Sequence, residues 1–169
     1  MVKRVIMSIV LTLLSFSFLN AGEFCPENIQ AVLLVKVLSF TRELGGASKG
    51  DVSIGVLNGG AALNAIKDAA TKAGGGVSVK SVTTGDIAGI NVLYVSKGTS
   101  ADQVQLAKEK CKQLKIMSVG GDPQFVLDYN YSLTFHLVDS KPRMLVSIES
   151  ADEEGTKFAA EFLKIAEKK

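Results

Sequence analysis

The sequence predicts an α/β fold: a three-layer α/β/α sandwich with a largely parallel sheet, ending in an antiparallel hairpin and a closing helix. Three observations predict it. Helix-forming and strand-forming segments alternate along the chain, as they do where crossover helices join parallel strands. The run Ile90–Ser96 (INVLYVS) is apolar almost throughout, the mark of a strand covered on both faces. Tyr131–Val138 (YSLTFHLV) alternates cleanly, and the turn Asp139-Ser140-Lys141-Pro142 leads it back into a second strand, Met144–Ile148.

A leader precedes these elements. Lys3 and Arg4 form a short basic start, Val5–Leu19 carries no charge, and Leu19-Asn20-Ala21 offers small residues for cleavage. Residues 1–21 therefore read as a cleaved signal peptide of bacterial type, and residues 22–169 as one domain in the periplasm. An apolar run this short does not suit a retained membrane anchor, which takes roughly 20 residues.

The first helix is expected over Asn28–Leu44, with Pro26 near its start and Gly45-Gly46 at its end. Ile29, Val32, Leu33, Val37, Phe40 and Leu44 fall at three- and four-residue steps, while Leu34, Val35 and Leu38 lie off that stripe. A helix apolar on so many sides is sandwiched within its domain or covered by a second copy. Asp51–Leu57 alternates as a strand, Gly60–Ala73 has helical composition before Gly74-Gly75-Gly76, and Val77–Val82 is the next strand. After Ile90–Ser96, a helix over Ala101–Leu114 should open with a capping box, Ser100 and Gln103, and bury Val104, Ala107, Cys111 and Leu114. Ile116–Val119 is a short strand, closed by Gly120-Gly121-Asp122-Pro123. The last helix should begin at Ser150 with Glu153 in a second capping box. It would pair Glu153 with Lys157 and bury Phe158, Phe162, Ile165 and Ala166.

Composition excludes several functions. The net charge is +2, basic and acidic residues are interspersed, and there is no Trp. Nucleic-acid binding, which needs a basic footprint, is not expected. A metal site is not expected either, with one histidine and no paired Cys or His at ligand spacing. No cofactor motif is present: Leu57-Asn58-Gly59-Gly60 follows a strand but matches neither the dinucleotide fingerprint nor a P-loop. His136 falls on the polar side of its strand with Ser132 and Thr134, which predicts an exposed ring. Asp152, Glu153 and Glu154 suit a helix start. No nucleophile and base are brought together, so catalysis is not expected. Gly120, Gly121 and Asp122 lie beyond a strand end, where parallel sheets often bind ligands, and form the candidate ligand loop. Cys25 and Cys111 permit one disulfide in an oxidising compartment; the place of Cys111 on the apolar face of its helix equally suits a buried thiol.

Taken together, the elements resemble the YfiR-like family of periplasmic regulators. The resemblance is carried by the opening helix Gln30–Phe40 and the strands Val52–Leu57 and Ile90–Ser96. Ile116-Met117-Ser118-Val119-Gly120-Gly121 adds a strand and turn. Its most telling part is Arg143-Met144-Leu145-Val146-Ser147-Ile148-Glu149 leading into Phe158–Ala166. Glu149 stands where an asparagine is typical, and the cysteines are fewer than in members with more than one disulfide. The resemblance implies a non-enzymatic role: binding the periplasmic sensor domain of a membrane-bound diguanylate cyclase or sensor kinase, and so setting cyclic-di-GMP levels and biofilm formation. Leu34 and Leu38 are the candidate surface for that partner or for a homodimer. The competing expectation is a periplasmic small-molecule-binding protein.

Overall fold

The computed structural model describes residues 23–44, 51–74 and 76–169. The expected leader lies outside the described residues, as do Gly45, Gly46 and Gly75. In chain order the elements are β1 (Glu23–Phe24), α1 (Glu27–Leu38), β2 (Thr41–Leu44), β3 (Val52–Leu57), α2 (Gly60–Ala73), β4 (Val77–Val82), β5 (Val92–Val95) and α3 (Ala101–Leu114). There follow β6 (Met117–Gly120), α4 (Pro123–Tyr129), β7 (Leu133–Val138), β8 (Lys141–Val146), α5 (Ile148–Glu153), β9 (Thr156–Phe158), α6 (Ala160–Leu163) and β10 (Glu167–Lys168).

The main sheet runs β10-β8-β7-β6-β5-β3-β4, parallel from β4 through β7, with β8 antiparallel to β7. Side chains of successive strand residues point to opposite faces, and two cores result. Val92 and Tyr94 of β5, with Met117 and Val119 of β6, pack under Leu34 and Val37 of α1 and Ile66 of α2. Their neighbours Leu93 and Val95 face the other way, against Val104 and Ala107 of α3 and Phe125 and Val126 of α4. This is the three-layer α/β/α sandwich that the alternation of elements foretells.

Local chemistry corrects several expected boundaries. Helix α1 ends at Leu38, six residues early. The Ser39 hydroxyl donates to the Lys36 carbonyl (2.6 Å) and the Thr41 hydroxyl to that of Leu38 (2.7 Å), so short polar side chains take up last-turn acceptors. Residues 41–44 then pair with β9 as a separate two-stranded sheet, where Glu43 meets Lys157 across the ladder at 2.9 Å. Lys157 is therefore not the partner of Glu153, which bonds Lys112 of α3 at 2.7 Å. The single closing helix divides into α5, β9 and α6 because Gly155 adopts a left-handed φ of 71° and ends the first segment. Its cap is Ser147, whose hydroxyl accepts from the Ser150 N–H, rather than Ser150 itself. Phe158 and Phe162 are buried as expected, but Ile165 is exposed.

Helix α4 was not anticipated, although its signals are present: Asp122 accepts from the Gln124 N–H, Pro123 occupies the first turn, and Asn130 closes it at φ 56°. The other expected capping box does not form. Ser100 makes no side-chain cap on α3, and Leu114 is exposed while Lys108 takes a buried place.

Both ends of the described domain fasten onto the β7–β8 hairpin. Strand β1 pairs with β7 through Glu23↔Leu137 and Phe24↔His136, beyond the point where β6 stops. Strand β10 lies along β8, and Lys169 Nζ reaches the Val126 and Leu127 carbonyls at the end of α4. A cation at those carbonyls suits the negative end of the helix.

Candidate functional site

The carboxyl ends of the parallel strands converge on one rim, and the sequence places its most distinctive turns there. Strand β3 connects through α2 to β4 on one side, whereas β5 lies on its other side and continues through α3 to β6. The chain thus reverses direction between β3 and β5, and α2 and α3 leave this point on opposite faces of the sheet. In open α/β sheets such a switch point is the usual ligand crevice.

The β3–α2 turn is Asn58-Gly59, with Asn58 at φ 56°. Its amide donates to Gln103 Oε1 at 2.9 Å, which is where the expected capping partner of Ser100 is engaged. Across the crevice, the Ser96 N–H donates to the Leu57 carbonyl at 3.1 Å, stitching the strand ends together. Gly59 sits directly on Ser96: a Cβ there would come within 2.1 Å of the Ser96 hydroxyl. That hydroxyl is buried and lacks a hydrogen-bond partner.

One strand further along, the candidate ligand loop is engaged with the protein itself. Gly121 donates its N–H to the Val95 carbonyl (2.8 Å), and its own carbonyl accepts from Gln30 Nε2 at 3.3 Å. Thr134 Oγ1 donates to the Gly120 carbonyl at 2.8 Å. Asp122 caps α4 and faces Lys97 Nζ at 3.7 Å, and Lys97 in turn lies over the Phe24 ring. Beneath the loop, the Tyr94 hydroxyl donates to Gln30 Oε1 at 3.0 Å. Burial, helped by Glu27 and Cys25, pushes the Tyr94 phenol far above its ordinary range. Gly121 is needed for this closeness, since a Cβ would stand 2.8 Å from the Tyr94 hydroxyl.

A second polar constellation lies inside the domain, between the sheet and α3. The Glu154 carboxylate pairs with Lys108 Nζ and accepts from Ser118 Oγ (2.6 Å), the Ser118 N–H (2.7 Å) and Ser132 Oγ (2.5 Å). Lys108 also donates to Ser150 Oγ, which donates onward to the Asn130 carbonyl. A serine beside a lysine invites a nucleophilic reading. Here the ammonium is held by a carboxylate and has no lone pair with which to accept a proton. The arrangement is a satisfied buried ion pair, invisible to sequence reasoning because its members come from α3, β6, the turn before β7 and the end of α5, far apart in the chain.

Other expected site residues fall elsewhere. Leu34 and Leu38 are 0% and 9% exposed, inside the core under α1, so they cannot form the surface assigned to them. The outward face of that helix carries Asn28, Val32 and Lys36, and its exposed apolar residue is Val32, at 58%. Cys25 and Cys111 do not pair: both are free, Cys25 in the core beneath α1 and Cys111 in the core on the opposite face of the sheet. Burial raises both thiols, with the Glu154 charge adding to the effect at Cys111. His136 is 5% exposed, not on an open ledge: β1 and β8 pair with its strand on either side and the Glu167 side chain of β10 lies against its ring. Its Nε2 lies 3.1 Å from Glu167 Oε2 without hydrogen-bond alignment.

Fold and rim together define a small three-layer α/β domain with a strand-end crevice and an internal ion pair. The family model of the YfiR/HmsC-like proteins matches residues 27–167, and the chain belongs to that family, one of periplasmic regulators. Among solved structures, a conserved domain protein of Vibrio cholerae shares the fold with a TM-score of 0.60 at 14% identity. The match covers 87% of this chain and 61% of that one, so this chain spans less than two thirds of its length. No curated protein matches the sequence. Among the described residues, no helix is long and apolar enough to cross a membrane.

Proposed function

We propose that this protein is a non-catalytic regulator that binds the extracytoplasmic sensor domain of a membrane signalling protein, a diguanylate cyclase or a sensor kinase, and modulates its output. The observation that carries this reading is the family match across residues 27–167, nearly the whole described domain. The Lys108–Glu154 geometry supports it, since the serine–lysine pair hydrogen-bonded among the described residues is locked into a structural role rather than poised for proton transfer.

The test is capture and output measured together. Tagged protein is used to capture partners from detergent-solubilised membranes of its own organism, and cyclic-di-GMP is measured in cells with and without the gene. Enrichment of one cyclase with a changed cyclic-di-GMP level, or of one sensor kinase with changed phosphorylation, is the expected result. A folded bait that enriches neither, in cells whose signalling output is unchanged, would remove the reading. A homodimer, the second kind of partner expected from the apolar first helix, is checked by sedimentation of the same sample.

A further inference from the structure

We infer that the crevice between β3 and β5 binds a small oxyanion of the phosphate class, seated on the N-terminus of α2. The position is the switch point of the sheet. The donors are the first-turn N–H groups of α2 ahead of Leu63, whose N–H makes a helical bond to the Gly59 carbonyl at 2.6 Å. Helix α2 is 14 residues long, has no side-chain cap, and carries no acid in its first turn, so its positive end is not neutralised locally. Gly60 has open space where a side chain would stand.

An uncapped helix start alone does not make a site. The second observation is Ser96: 2% exposed, its hydroxyl has no partner, and it points at Gly59, the N-cap of this same helix. A buried hydroxyl is costly to leave unpaired, and an oxyanion at the helix start supplies the missing acceptor. Asn58 is turned aside toward Gln103 and leaves that end of α2 uncovered. Such a ligand would give the regulator a soluble input, but the inference concerns the isolated protein and stands or falls independently of any membrane partner.

The test uses the purified protein with inorganic phosphate as the probe, at ionic strength held constant with chloride. Phosphate should raise the melting temperature saturably, by about 2–4 °C, because it binds the folded state. It should also shift the amide resonances of Gly60 and Ala61. Gly60→Asp places a carboxylate on the same donors and should abolish both responses, while Gly60→Ala should keep them. Ser96→Ala removes only the orphan hydroxyl, so it should stay folded and show a smaller response. An equal rise in wild type and Gly60→Asp would mean a bulk salt effect and overturn the inference. So would unshifted amides at Gly60 and Ala61, or a Ser96→Ala response equal to wild type.

Discussion

At the scale of single residues, the largest energetic contrasts fall on one helix and one ion pair. Leu34 is fully buried and Val32, two positions away, is largely exposed. Leu34→Ala should cost about 2–5 kcal/mol in urea unfolding, whereas Val32→Ala should stay within about 0.5 kcal/mol. Similar losses from the two would show that α1 packs through a different face. Lys108→Met should cost about 3–5 kcal/mol, because it leaves the Glu154 carboxylate buried without its cation. Replacing both partners together, Lys108→Met with Glu154→Gln, should recover part of that loss, and strict additivity would mean the two do not interact. The thiols give a simpler count. Native protein should resist a thiol reagent, and denatured protein should release two equivalents without reductant, since both cysteines are buried and free.

At the scale of elements, caps can be told apart by their bonds. Asp122→Ala and Ser147→Ala each remove a side chain that accepts a first-turn N–H, and each should lower stability by about 1 kcal/mol. Ser100→Ala should change little, because that hydroxyl caps nothing. Equal effects at all three positions would contradict the cap geometry. The sequence made most of these elements legible: α2, β4 and α3 have the bounds that glycine stops and apolar spacing indicate. Strand β5 is buried along its full length, as its unbroken apolar run requires. The failures share a cause. A helix stop set by Ser39 and Thr41, or a division set by Gly155, depends on whether the following residues find a strand partner, and the partners of β2 and β9 are each other. Periodicity within either segment carries no trace of that pairing. The crevice was half visible: Gly59-Gly60 could be placed at a strand end, but Ser96, its counterpart across the switch point, belongs to a different stretch of chain. Leu34 and Leu38 were misplaced for a related reason, since an apolar helix face says nothing about whether sheet or solvent will meet it.

At the scale of the whole molecule, burial of ionisable groups governs the response to alkali. The Tyr94 and Tyr131 phenols and both thiols have their proton affinity raised chiefly by burial. The folded state therefore holds protons that the unfolded chain releases above about pH 8.5 for thiols and about pH 10 for phenols. The sign follows: this stabilisation is complete below those values and is lost as pH rises through them toward the folded values. The urea midpoint should fall progressively from about pH 8.5 upward, and the absorbance of Tyr94 and Tyr131 phenolates should appear only with unfolding. Phenolate signal from those two rings in a fully folded sample would refute the burial.

A ladder that joins Phe24 to His136, and a side chain that ties Gln30 to Gly121, cannot close until nearly all of the intervening chain exists. The first described residues to leave the ribosome are thus among the last to settle. Contacts of such long sequence separation slow folding, because the loop must be closed before the contact can stabilise it. Order of synthesis and order of assembly run apart in this domain. The sheet is complete only once the β7–β8 hairpin is present to receive both ends.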